Sequence, residues 1–168
     1  NGRNVALGLA VLFLARTNGL LYIINSVNDD GLYENAGRKI ILNALTFLVF
    51  FLFFLVTLLI SPGFAYDPHT GNVFIEKYKY LHNLLRMPAV LIIFVAGVVG
   101  VLYGIVITVF RGSRKGIWFT GTGTILAVIS LFLLAGFSNT AFYPSTFDLN
   151  SSLSIRKASS SYFTLKTM

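Results

Sequence analysis

Cysteine is missing from this chain, and only 11% of its residues are charged. The first absence excludes a disulfide scaffold and any thiolate metal site. The second excludes an ordinary water-soluble domain, which would carry about 25% charged residues to cover its surface. Disorder is excluded by the opposite excess, since 55% of the residues are hydrophobic and disordered segments combine low hydrophobicity with high charge. A mean hydropathy of +0.76 leaves a protein dissolved in lipid. Acids are scarce too, with 13 Lys and Arg against 6 Asp and Glu for a net charge of +7. In a membrane protein such an excess gathers in loops facing anionic headgroups. No basic stripe interleaves with base-stacking aromatics, so a nucleic-acid partner is not expected.

What is present is a set of apolar segments long enough to cross the roughly 30 Å hydrocarbon core, which takes about 20 helical residues. They run over residues 5–27, 40–60, 88–110 and 117–137. The second stops at Ser61, Pro62 and Gly63, and the third opens on Pro88, where a missing N–H does no harm. The expected fold is all-α, a polytopic four-helix transmembrane bundle over residues 1–137. A loop containing Asp29, Asp30 and Glu34 joins the first two spans, and a longer loop with turn signals at Asp67, Pro68 and Gly71 follows the second. A polar tail, residues 138–168, is expected to form an outward-facing loop leading to a further helix. The opening Asn1 and the apolar turn of Tyr162 to Met168 suggest a fragment.

Basic residues set the expected orientation. Arg38, Lys39, Arg111, Arg114 and Lys115 crowd the two short connections, whereas Arg3, Lys77, Lys79, Arg86, Arg156, Lys157 and Lys166 are spread over much longer stretches. The denser side is expected in the cytoplasm, with the N-terminus, second loop and tail outward.

The spans hold no His, Met or Cys at depth: His69 and His82 fall in the second loop, Met87 at a span boundary and Met168 at the chain end. They therefore offer no axial ligand for haem, and two isolated histidines make no metal-ligand spacing. Arg16 is the one ionised group deep in a span. Its mid-helix position costs about 2.5 to 3.5 kcal/mol, which the surrounding Leu, Ile, Val and Phe residues offset by about 3 to 7 kcal/mol. Insertion leaves the guanidinium in need of a partner: nearby oxygens such as those of Asn18, lipid headgroups, or an acid elsewhere. Either a structural polar contact or a role beside a cofactor or proton path fits, and Arg16 is the one candidate cofactor-side residue. Gly97, Gly100 and Gly104, with Gly116, Gly121 and Gly123, place small residues where helices can approach closely. Trp118, Tyr22 and Tyr143 suit interfacial anchors, while Tyr103 falls inside a span and is expected to pack. No catalytic constellation emerges, the serines from Ser151 to Ser161 having no histidine near them. The Asn150-Ser151-Ser152 acceptor pattern is too common to weigh.

The tail carries a resemblance. The run from Ser152 to Met168, following Phe142-Tyr143-Pro144-Ser145 and containing Ala158-Ser159-Ser160-Ser161 and Thr164-Leu165-Lys166-Thr167-Met168, resembles an outward loop of subunit II of cytochrome bd-type quinol oxidases. Ala15-Arg16-Thr17-Asn18-Gly19 with Tyr22, and the basic hairpin Arg111 to Trp118, resemble other segments of that subunit. Departures are Arg156-Lys157, where Trp-Asp is frequent, and Arg16, where an apolar residue is frequent. The resemblance implies the second half of the subunit, its helices five to eight, with a further helix after Met168. It also implies an oxidoreductase complex of the bacterial inner membrane that passes electrons from quinol to oxygen and supports a proton-motive force. Haems would lie in the partner subunit I, with membrane lipid and a possible structural quinone as further partners. This chain would then ligate no cofactor or metal and hold no catalytic residue. A secondary transporter and a purely structural scaffold are the rival readings, the former wanting polar or broken helices at a midplane site.

Overall fold

A computed structural model describes residues 2–27, 29–67, 69, 73–142 and 153–154. Among the described residues, five helices and two short antiparallel strand pairs follow in this order: α1 (Gly2–Ser26), α2 (Asp30–Ile60), β1 (Gly63–Tyr66), β2 (Val73–Glu76), α3 (Lys79–Arg86), α4 (Pro88–Arg111), α5 (Gly116–Gly136), β3 (Ala141–Phe142) and β4 (Leu153–Ser154). Of these, α1, α2, α4 and α5 are long and apolar enough to span a bilayer, and the fold is that of an all-α multi-pass membrane protein.

Helix α2 begins ten residues before its apolar run, inside the segment expected to be a loop. Asp29 Oδ1 accepts the Leu32 N–H at 2.9 Å, an N-cap contact, and Asp30 sits in the first turn beside the positive end of the helix dipole. The 31 residues rise about 46 Å, more than the hydrocarbon requires, so Arg38 and Lys39 ride on a helix rather than on a connection. The described residues of the second loop hold more secondary structure than expected, the turn signals at Pro68 and Gly71 lying outside the described residues. They form the β1–β2 pair, with Gly63 opposite Glu76 and Tyr66 opposite Val73, and then the short helix α3.

Two compact units are distinguished, one formed by Asn1–Leu58 with Ile92–Ile129 and the other by Leu59–Leu91 with Ser130–Met168. The first is a closed ring of helix contacts. Phe13 of α1 stacks near Phe50 of α2 at 6.4 Å, and Phe51 of α2 meets Phe94 of α4 at 6.4 Å. Gly97, Gly100 and Gly104 of α4 face Gly116, Gly123 and Ala127 of α5. Asn18 Nδ2 of α1 reaches Thr124 Oγ1 of α5 at 3.5 Å. Hydroxyls within the spans are returned to their own helices: Thr17 donates to Phe13 O, Thr108 to Gly104 O and Thr120 to Gly116 O. An unpaired hydroxyl in an apolar medium would be costly.

In the second unit β1 pairs with β2, and the Tyr66 N–H donates to Asn139 O at 2.9 Å. The chain turns after α5 through left-handed backbone at Ser138 and Asn139. Apart from the short β3–β4 ladder, Ala141 to Ser154 and Phe142 to Leu153, the expected tail loop lies outside the described residues. So do Tyr143, the glycosylation pattern, the serine run and Arg156-Lys157.

Candidate functional site

The glycines of α4 and α5 hold backbone against backbone. A Cβ on Gly97 would stand 2.6 Å from Ala127 N, and one on Gly104 would stand 2.5 Å from Gly116 O. Side chains are thus excluded along this seam, as the sequence spacing predicts. Gly121 departs from the expectation, since a Cβ there would meet nothing within 4 Å. Beside the seam Ala96, Gly100, Trp118, Phe119, Thr122 and Leu126 border an open apolar groove. Trp118 and Tyr22 are 69% and 63% exposed, as anchors would be. Tyr103 packs edge-on to Phe119 at 5.0 Å.

At one end of the first unit, Arg114 ties the two short connections together. Its guanidinium donates to Asp30 Oδ1 at 2.9 Å and to Val27 O at 3.3 Å, and the Tyr33 hydroxyl donates to Thr108 O. Of the residues counted as the denser basic side, Arg114 is thus seated where α1 gives way to α2.

Arg16 is exposed on α1, two residues past the midpoint of a helix running from Gly2 to Ser26. Asn18, weighed above as its partner, turns to Thr124 instead. Among the described residues the guanidinium meets the ring of Phe13, Cζ lying 5.8 Å from the ring centroid.

A second polar cluster lies outside the spans. Lys79 is 1% exposed, with Nζ 3.0 Å from Glu76 Oε2 and donating to Ser138 O at 2.9 Å. One turn on, the fully buried Asn83 donates through Nδ2 to Leu134 O at 3.0 Å and Thr140 Oγ1 at 2.8 Å. Leu134 O is one of the four carbonyls that a helix end leaves without an internal partner, so α3 caps α5. His82 Nδ1 donates to Glu76 Oε1 at 2.8 Å. Burial pushes the Glu76 carboxyl up. The hydrogen bonds from His82 and Lys79, with the charges of Lys79 and Arg86, outweigh that and hold it below its ordinary value. Glu76, Lys79 and Arg86 border a cavity of about 420 Å³ with Ala65, Tyr66, Asp67, Phe74 and Asn139. Gly63 is required here, because a Cβ would stand 2.8 Å from the Lys79 stem. Neither Lys79 nor Asn83 stands out by composition; the available signal is their i, i+4 spacing in the amphipathic run Lys79–Arg86.

Such a chain is a polytopic membrane protein whose polar chemistry is concentrated at helix ends, with a single cation at depth. The model of the family described as cytochrome bd terminal oxidase subunit II matches residues 1–168, and the chain belongs to that family. No curated protein and no solved structure matches it. Membership makes it part of a haem-containing quinol oxidase complex. The donors present do not fit a haem iron at membrane depth. His82 lies on α3 with Nδ1 engaged by Glu76, His69 lies between β1 and β2, and Met87 lies between α3 and α4. Among the described residues no three His, Cys, Asp or Glu side chains gather into a metal-binding group.

Proposed function

We propose that this chain is the companion subunit of a haem-bearing subunit I in a cytochrome bd-type quinol:oxygen oxidoreductase. In this reading it braces and shields the cofactors of its partner while quinol is oxidised, oxygen is reduced and a proton-motive force is built. The observation that carries the proposal is the chemistry of the four spans. They present apolar side chains and a tight glycine seam, and no histidine, methionine or cysteine within α1, α2, α4 or α5. Electron transfer through haem must then be housed elsewhere. We assign the protein to the bacterial inner membrane, with the end carrying Arg111, Arg114 and Lys115 in the cytoplasm and the N-terminus and tail outward. Membrane lipid and a structural quinone are proposed as further contacts, and no catalytic residue is assigned to residues 1–168.

Deletion tests the reading. Membranes without this chain should lose quinol oxidase turnover and show reduced or altered haem absorption. Full turnover with an unchanged spectrum would end the proposal.

A further inference from the structure

The exposed face of α1 is built to receive another helix, and its charge specifies what that helix must carry. Among the four spans α1 is the least buried, 22% of its apolar window against 28 to 33% for the others. Its exposed side presents Gly8, Leu12, Ala15, Gly19, Tyr22 and Ser26, spaced alternately by four and three residues. That spacing keeps them on one side of a helix, in the rhythm of a helix-packing seam. Most are small, which lets a partner backbone approach closely in lipid. The glycines of the α4–α5 seam are consumed inside the chain, but a Cβ on Gly8 or Gly19 would meet nothing within 4 Å.

Arg16 flanks this seam, next to Leu12 and Gly19 in the i−4 and i+3 positions. Snorkelling does not solve its charge. Helical side chains lean toward the N-terminus, and the guanidinium accordingly lies over the ring of Phe13. It is aimed at the middle of α1, away from the nearer end at Ser26, about 15 Å of rise away. No acid of this chain lies at its depth, because Asp30 and Glu34 sit in the opening turns of α2 and Asp29, Asp67, Glu76 and Asp148 fall outside the four spans. A second copy is a poor occupant, since a two-fold pairing along this face would set Arg16 near its own equivalent. We infer that the α1 face docks a transmembrane helix of a partner subunit that carries an Asp or Glu at the depth of Arg16. This inference rests on the reading of the chain as one member of a membrane complex, and adds the chemistry of the contact.

The test uses the assembled complex in its own membrane. A photo-crosslinking residue replacing Leu12, which is 51% exposed, should capture a spanning peptide containing Asp or Glu, identified by mass spectrometry. Arg16→Leu makes α1 more apolar and cannot impair insertion, yet should lower the yield of intact complex by about tenfold or more, as loss of a buried charge pair does. Gly19→Leu should lower it as well, although a Cβ at that position meets nothing within 4 Å. Neutralising the captured acid in the Arg16→Leu background should cost little further. Crosslinks to lipid alone, to a second copy or to an acid-free segment would overturn the inference, as would an unchanged yield with Arg16→Leu. The haem spectrum separates the two readings. An acid-bearing helix captured from a haem-free complex keeps this one and ends the companion-subunit proposal; lipid-only crosslinks beside normal haem do the reverse.

Discussion

Replacing Gly97 by alanine tests whether the α4–α5 seam holds the bundle together. The new Cβ would lie 2.6 Å from Ala127 N, 2.8 Å from Gly123 O and 3.1 Å from Ala127 Cα, all of them backbone atoms. None can swing aside as a flexible side-chain tip could. Ordinary contact begins near 3.4 Å, so the helices must part by up to about 0.8 Å, a gap that forfeits a quarter to a half of each dispersion contact along the seam. Overpacking of this kind costs about 1 to 3 kcal/mol, a factor of about 5 to 150 in the folding equilibrium. Gly121→Ala supplies the control. It lies on α5, meets nothing within 4 Å, and makes the same intrinsic change in helix propensity, so the difference between the variants isolates the seam. Titration with dodecyl sulfate in lipid–detergent micelles, followed by fluorescence of the single tryptophan, Trp118, reads it, since Trp118 lines the same groove as Gly100 and Gly123. The Gly97→Ala midpoint should fall well below that of Gly121→Ala. Equal midpoints would refute the account of the seam.

Acid should loosen the second unit. A carboxyl held below its ordinary value near 4.5 contributes stability that is complete above that value and is lost as pH falls through the depressed one. Hydrogen-exchange protection of residues 73–86 should therefore be flat from pH 7 to pH 5 and fall below about pH 4.5, while Glu76→Gln should start lower and respond less. Asn83→Ala strips Leu134 O and Thr140 of their donor in a fully buried setting, which costs about 1 to 3 kcal/mol per stranded group. Limited proteolysis between β2 and α4 should quicken accordingly, and an unchanged cleavage rate would remove Asn83 from its capping role.

Much of the architecture was legible in the residues alone, because lipid imposes a simple rule: backbone amides must pair within the segment, so twenty apolar residues in a row have few alternatives to a spanning helix. Pro88 and the Ser61-Pro62-Gly63 break marked helix boundaries for the same local reasons that apply in water. The α2 start was missed because hydropathy marks where hydrocarbon begins, whereas Asp29 marks where the helix begins, and a capped helix need not end at the membrane surface. Glycine spacing announced close packing on α4, yet spacing cannot tell a face already occupied from one still open. Gly104 and Gly19 read alike in sequence and differ only in what stands 4 Å away.

Composition and hydropathy were thus sufficient for a four-span membrane protein, because solvation is a property each residue carries with it. Folding in three dimensions settled which partner each polar group found. Lys79 became buried with its ammonium on Ser138 O although nothing near it in sequence requires burial, and Asn18 turned to Thr124 on α5, leaving Arg16 exposed over Phe13. Hydrogen bonds act over about 3 Å, and only the folded chain brings residues 59 or 106 positions apart within that reach.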